Sequence, residues 1–141
     1  MTRAVARLLF APTLMVAFAV LLKGYIGTGD GFAAGVIAGL AFLMQFVAFG
    51  ERQVRRELRT RYAPLVAMAG LALALATTFI PVLLGEPILT HWPRPGSEVA
   101  HLGTLEFLTA VGFDVGVFLL VLGFSVTALS LLSRVETREP R

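Results

Sequence analysis

The segment from Glu51 to Arg61 carries five arginines in eleven residues and separates two long apolar runs. An arginine costs about 2.5 to 3.5 kcal/mol at the centre of a bilayer, so this segment cannot cross a membrane. Short loops rich in basic residues stay on the cytoplasmic side. The segment therefore predicts a cytoplasmic loop that fixes the side of everything before and after it. The anchoring residues are Arg52, Arg55, Arg56, Arg59 and Arg61.

The composition is typical of a membrane protein. Apolar residues make up 57% of the chain and charged residues only 15%, whereas about a quarter of the residues in a soluble domain are charged. Because the chain has no cysteine, disulfides, thiol nucleophiles and cysteine-ligated metal sites are excluded, and we expect no cofactor. No aromatic residues interleave with the basic cluster, so nucleic-acid binding is not expected.

Four apolar runs predict four transmembrane helices in a single domain over residues 1–141. Their expected bounds are 8–22, 32–49, 63–84 and 107–132. If the chain starts in the cytoplasm, ten of its twelve basic residues fall inside and only Lys23 and Arg94 fall outside. This bias predicts an all-α integral membrane protein with both termini cytoplasmic. The alternative, a secretory signal cleaved near Ala17 to Ala19, would leave an odd number of spans.

Small residues mark two predicted packing faces. Gly31, Gly35 and Gly39 recur every four residues in the second span and therefore share one helix face. Glycine faces let helices approach closely, and this close packing drives helix association in lipid, where the hydrophobic effect does not. Because two such faces exceed the needs of one small bundle, we expect partners in the membrane. The glycines of the second face, on the fourth span, are Gly112, Gly116 and Gly123.

Two further patterns concern the inner half of the chain. Gln45 is expected to hydrogen-bond a neighbouring helix, because an amide that faces lipid is costly. In the arginine segment, Val54, Leu58 and Tyr62 recur every four residues. This spacing predicts a helix along the inner membrane surface, with its arginines reaching towards lipid headgroups.

A polar stripe runs along the predicted fourth span. Glu106, Asp114 and Ser125 fall within roughly a third of the helix circumference, and Thr109 flanks them. Asp114 is expected about 10 Å from the outer end, where exposure to lipid is expensive. It must therefore be paired, protonated or turned into the protein. Two interpretations stay open for this stripe: it flanks an ion path, or it is fixed in a subunit interface.

Two connectors between spans carry further charged residues. Lys23 opens the first connector and Asp30 closes it. Asp30 is interpreted either as a cap of the second helix or as a group in cation or proton traffic, and Lys23 joins it as a candidate. The other connector holds His91 and His101, whose spacing does not match a metal site, so we expect no metal and a solvated loop.

Several stretches resemble the MnhB (MrpB) subunit of multisubunit sodium/proton antiporters. They are residues 24–35, 103–106 and 112–123, and the segment around Asp114 is the most specific. In that family the first connector usually reads proline, three glycines and phenylalanine, whereas here the segment Thr28 to Phe32 departs at the proline and at the middle glycine. The resemblance implies larger antiporter-like partner subunits in an assembly related to the membrane arm of respiratory complex I.

We therefore expect an accessory, non-enzymatic subunit of a sodium/proton (monovalent cation/proton) antiporter in a prokaryotic cytoplasmic membrane. The bilayer, the other membrane subunits and the transported Na⁺ and H⁺ are its expected partners. The alternatives are the equivalent subunit of a membrane-bound hydrogenase or another complex I-like assembly, and a small homodimeric exporter. An intramembrane enzyme is not expected, because the chain offers no nucleophile and base pair and no metal-ligand cluster.

Overall fold

The computed structural model describes residues 2–23, 30–83 and 103–136. Within those ranges the chain is helical, with no strand. The elements are α1 (Thr2–Lys23), α2 (Asp30–Phe49), α3 (Glu51–Glu57), a 3₁₀ turn (Thr60–Tyr62), α4 (Ala63–Leu83) and α5 (Gly103–Glu136). The four long helices correspond to the four predicted spans, although α1 begins six residues earlier and α5 extends further at both ends.

The long helices form an open arrangement with α5 in the middle. α5 packs against α2 and against α4, while α1 packs mainly on α2. Within the described ranges, the backbone of α4 does not come close to the backbone of α1 or of α2. The residues of α5 that meet α2 and those that meet α4 lie on opposite faces, taking about 100° per residue. The four helices therefore do not close into a four-sided bundle.

The directions of the helices gather the arginines at one end. Gln45 near the end of α2 bonds the carbonyl of Ala6 near the start of α1, so these helices are antiparallel. Gly31 and Gly39 of α2 meet Asp114 and Ser125 of α5 in the same order, so α2 and α5 are parallel. α4 runs antiparallel to α5. The start of α1, the end of α2, α3, the start of α4 and the end of α5 thus share one end.

Burial follows the pattern of a protein in lipid. The four long helices contain apolar segments long enough to cross a membrane, with mean hydropathy between 2.0 and 2.4. Small residues are inside, since Ala34 and Ala38 are fully buried. Large apolar residues such as Leu8 and Val47 point outwards and are 74% and 76% exposed. The chain is therefore a multi-pass membrane protein.

A sharp turn at Gly50, with φ of 80°, leads from α2 into the arginine segment. Val54 of α3 is buried against Phe46, Ala63 and Val126. The prediction of one helix carrying Val54, Leu58 and Tyr62 is wrong beyond α3. Leu58 ends the helix, Arg59 adopts a left-handed conformation with φ of 47°, and Tyr62 lies in the 3₁₀ turn and is exposed.

Candidate functional site

The contact between α2 and α5 brings the glycine face of one helix onto the polar stripe of the other. A Cβ at Gly31 would overlap the backbone carbonyl of Asp114, and one at Gly35 would come within 2.8 Å of the Cβ of Val121. A Cβ at Gly39 would lie 3.1 Å from the Cβ of Ser125. The absence of side chains at these positions lets the two backbones come close over two helical turns.

Asp114 lies in this contact and is buried, with 8% of its surface exposed. It is about 16 Å from the first residue of α5 at 1.5 Å per residue. Although Asp114 lies well inside α5, it contacts Gly31 and is therefore level with the first turn of α2. The aspartate is thus turned into the protein, against α2.

The remaining candidates for an ion path are distributed around this level. Asp30 is the first residue of α2 and is half-buried, directly before the glycine that touches Asp114. A carboxylate there is favoured by the positive end of the helix dipole. Lys23 ends α1 at the same end of the molecule and is exposed. Glu106 and Thr109 lie in the first turns of α5, and their side chains fall outside the described part of the chain.

The second glycine face packs on α4. A Cβ at Gly116 would come within 2.7 Å of the backbone nitrogen of Ala74, and one at Gly123 would lie 2.5 Å from that of Ala67. Gly112 faces the methyl group of Thr77. Both glycine faces are therefore used within the chain. The expectation that these faces exceed the needs of one bundle is therefore wrong, and the glycines give no sign of a partner subunit.

At the opposite end of the molecule, the arginines are held by a few specific contacts. Arg3 Nε donates to the carbonyl of Ala48 at 3.2 Å, and the guanidinium of Arg7 lies 5.2 Å from the centre of the Phe49 ring. Glu51 accepts from Arg134 at 3.0 Å and lies 3.6 Å from Arg55. The five anchor positions themselves, Arg52, Arg55, Arg56, Arg59 and Arg61, are all exposed.

Two polar residues of this end are buried. Gln45 donates to the carbonyl of Ala6 at 2.6 Å, so its predicted bond to a neighbouring helix is confirmed. Thr60 is 6% exposed, and its hydroxyl has no hydrogen-bond partner within the described ranges. Neither Thr60 nor Glu51 was identified from the sequence as a contact residue, although the four-residue spacing of Glu51 and Arg55 was a usable signal.

Metal binding is not supported in the part of the chain that the structure describes. No group of three or more histidine, aspartate or glutamate residues lies together there. The predicted solvated loop with His91 and His101, and the turn of residues 24–29, lie outside the described residues. The chemistry available within the described residues is that of two acidic residues near one end of a helix pair, and of a basic surface at the other end.

Comparison with known proteins decides the family. A family model described as a domain related to the MnhB subunit of Na⁺/H⁺ antiporters matches residues 1–127. The chain belongs to the MnhB family. The MnhB resemblance predicted from Asp114 and its neighbours is thereby confirmed.

Three bacterial relatives illustrate the similarity of this MnhB-family chain. It is 32% identical to the B-type Na⁺/H⁺ antiporter subunit of Bacillus subtilis over 123 residues, covering 87% of this chain and 85% of that protein. It is 30% identical to the B-type Na⁺/H⁺ antiporter subunit of Alkalihalophilus pseudofirmus over 129 residues, covering 92% and 85%. It is 36% identical to a probable K⁺/H⁺ antiporter polypeptide of the combined A/B type from Rhizobium meliloti, covering 97% of this chain but only 14% of that longer protein.

Proposed function

We propose that this MnhB-family chain is an accessory integral subunit of a multisubunit monovalent cation/proton antiporter in a prokaryotic cytoplasmic membrane. The observation that carries the proposal is the family match over residues 1–127, together with B-type relatives aligned over 85% of their own length. The names of the relatives refer to both Na⁺ and K⁺, so the proposal specifies a monovalent cation and leaves its identity open.

A larger antiporter-like subunit is the proposed partner. The name of the Rhizobium meliloti relative joins an A type and a B type on a single polypeptide, of which this chain matches a small part. A covalent link in a relative supports direct contact between the corresponding separate subunits. The open arrangement of helices is compatible with this, because α4 has α5 as its only long-helix neighbour within the described ranges.

Asp114 is proposed to flank the ion path of the complex. It is buried against the first turn of α2, and the half-buried Asp30 lies in that same turn. The free N–H groups of a first turn are the positive end of the helix dipole, which makes a carboxylate less costly beside them. The alternative role, a structural aspartate at a subunit interface, uses the same contacts, and the Asp114→Asn variant distinguishes the two roles.

The arginine-rich end is proposed to face the cytoplasm, with both termini on that side. Basic loops prefer the cytoplasmic side of a membrane. The start of α1, the arginine-bearing α3 and the end of α5 all lie at the same end of the molecule. Reporter fusions test the orientation directly. A fusion after Arg56 should report a cytoplasmic location, and one that reports the periplasm would contradict the proposed topology.

The test of the function is a tagged chain expressed from its own locus. After mild detergent extraction, we expect other membrane subunits to co-purify, and everted vesicles from a deletion strain to lose cation-dependent proton release. Expression of the chain alone should not restore transport in vesicles that lack the partners. A stable homodimer that transports without other subunits would remove the antiporter-subunit proposal.

A further inference from the structure

A small groove lies at the arginine end, on one side of α5. It has a volume of about 130 Å³. Phe42 of α2 and Val66 of α4 form its two walls, and Leu122 and Val126 of α5 contribute to its floor. The groove exists because α2 and α4 pack on opposite faces of α5, so that their backbones stay apart. Its interior is apolar over the length that lies within the spans.

The mouth of the groove is polar and positively charged. Arg59 and Thr60 line it next to the apolar residues. Within the described ranges, Arg59 has no carboxylate within ion-pair distance, whereas Glu51 is engaged by Arg55 and Arg134. The groove therefore combines an unpaired guanidinium at its mouth with an apolar interior.

Two local features at the mouth are costly for the protein by itself. Arg59 adopts a left-handed conformation that non-glycine residues rarely adopt. Thr60 is 6% exposed and its hydroxyl has no partner in the described part of the chain. A buried polar group without a partner is a local cost, and here it lies in the same turn that places Arg59 at the mouth. Costly conformations of this kind cluster at binding sites.

We propose that this groove binds an anionic phospholipid. A length of acyl chain lies against Leu122 and Val126, and the phosphate lies at the exposed guanidinium of Arg59. Basic residues next to a span attract anionic lipids, and the apolar floor selects a lipid over a free anion. The groove is too small for a helix of a partner subunit. The proposal is independent of which ion the complex transports.

Native mass spectrometry of the purified complex tests the proposal, with phosphatidylglycerol and phosphatidylcholine as probes. The wild-type complex should retain phosphatidylglycerol at lower lipid concentration than zwitterionic phosphatidylcholine. Arg59→Asn removes the charge and keeps a residue that tolerates the left-handed conformation. It should weaken phosphatidylglycerol binding about fivefold.

Arg56→Asn is the matched control, since it makes the same change of charge on the exposed face of α3, away from the groove. It should leave binding within about twofold of wild type. Equal weakening by Arg56→Asn and Arg59→Asn would mean a diffuse basic surface and would overturn the site. Equal retention of the two lipids, or displacement of phosphatidylglycerol by millimolar inorganic phosphate, would overturn the lipid as occupant.

A second experiment examines the groove in whole membranes. A photo-crosslinking amino acid in place of Val66, in the complete complex, should form adducts with phospholipid. Replacing Leu65, which is 66% exposed on the adjacent position of α4, gives the comparison for ordinary contact with bulk lipid. Adducts at position 66 should be enriched in anionic lipid relative to position 65. Crosslinks from position 66 to another protein of the complex would overturn the proposal.

Discussion

Gly31 of α2 lies directly against the backbone carbonyl of Asp114 of α5, and this contact sets the level at which the two parallel helices meet. A Cβ at position 31 would overlap backbone atoms, which have no alternative rotamer. We therefore expect Gly31→Ala to lower the free energy of unfolding by about 1 to 3 kcal/mol through overpacking. The gain in helix propensity, about 1 kcal/mol, offsets only part of this loss.

The matched variant is Gly39→Ala on the same face of α2. Its Cβ would meet only the side chain of Ser125, at 3.1 to 3.2 Å, which small shifts relieve. The apparent melting temperature of the full-length chain in detergent, followed by size-exclusion chromatography after heating, should fall clearly more for Gly31→Ala. The reverse order would show that the two helices meet at a different register.

Asp114→Asn separates the two proposed roles of the aspartate. It keeps the size of a side chain that is mostly buried and removes its charge. If the carboxylate exchanges protons beside an ion path, antiport in everted vesicles should fall by about tenfold or more. Co-purification of the partner subunits should be unchanged. Ser125→Ala, a change on the same face of α5 without loss of charge, should keep wild-type transport. Normal transport by Asp114→Asn would leave only the interface role.

Gln45 ties α1 to α2 through its bond to the carbonyl of Ala6. Gln45→Leu removes the donor and is expected to cost about 0.6 kcal/mol, with an upper range of about 1.7 kcal/mol, as for other hydrogen bonds between membrane helices. Gln45→Glu keeps the shape but replaces the donor with an acidic group that faces a carbonyl oxygen. It should therefore be the more destabilising change when thermal stability is measured at neutral pH. Equal stability of both variants and wild type would mean that the bond does not hold α1.

The Glu51–Arg134 ion pair links α3 to the end of α5. Because the Arg134 side chain is 44% exposed, solvent screens the pair, and its contribution should be only about 0.2 to 1 kcal/mol. A double-mutant cycle with Glu51→Gln and Arg134→Gln measures this coupling free energy. The coupling should shrink as the salt concentration rises. A coupling of several kcal/mol that persists in high salt would mean that the pair is far better shielded than the structure indicates.

Parts of the candidate site followed from sequence because they depend on a single helix. The spacing of Gly31, Gly35 and Gly39 predicted one face, and that of Asp114 and Ser125 predicted another. Neither spacing revealed that the two faces meet each other. Whether a glycine face receives a helix of the same chain or of another protein depends on steric fit between distant segments. The two glycine faces together therefore suggested further partners in the membrane, although both pack inside the chain.

The end of α3 is a second place where spacing within one segment did not reveal a contact with a distant segment. The four-residue spacing of Val54, Leu58 and Tyr62 predicted one continuous helix. The chain instead turns at Arg59, a residue type that carries no sequence signal for a left-handed conformation. Burial of Val54 against Ala63 and Val126 requires the chain to return to the spans at once, and this tertiary contact overrides the local pattern.

The sequence by itself determined the number and approximate bounds of the spans, their helical form and the concentration of arginine in one loop and near the chain ends. These properties follow from the cost of moving each segment of roughly 20 residues into lipid, which depends on that segment alone. Only the tertiary structure decided that α5 lies between α2 and α4, that α2 and α5 run parallel, and that Asp114 is level with the first turn of α2. Neighbours in lipid are selected by close packing between surfaces of different helices, and that fit is a property of pairs of segments.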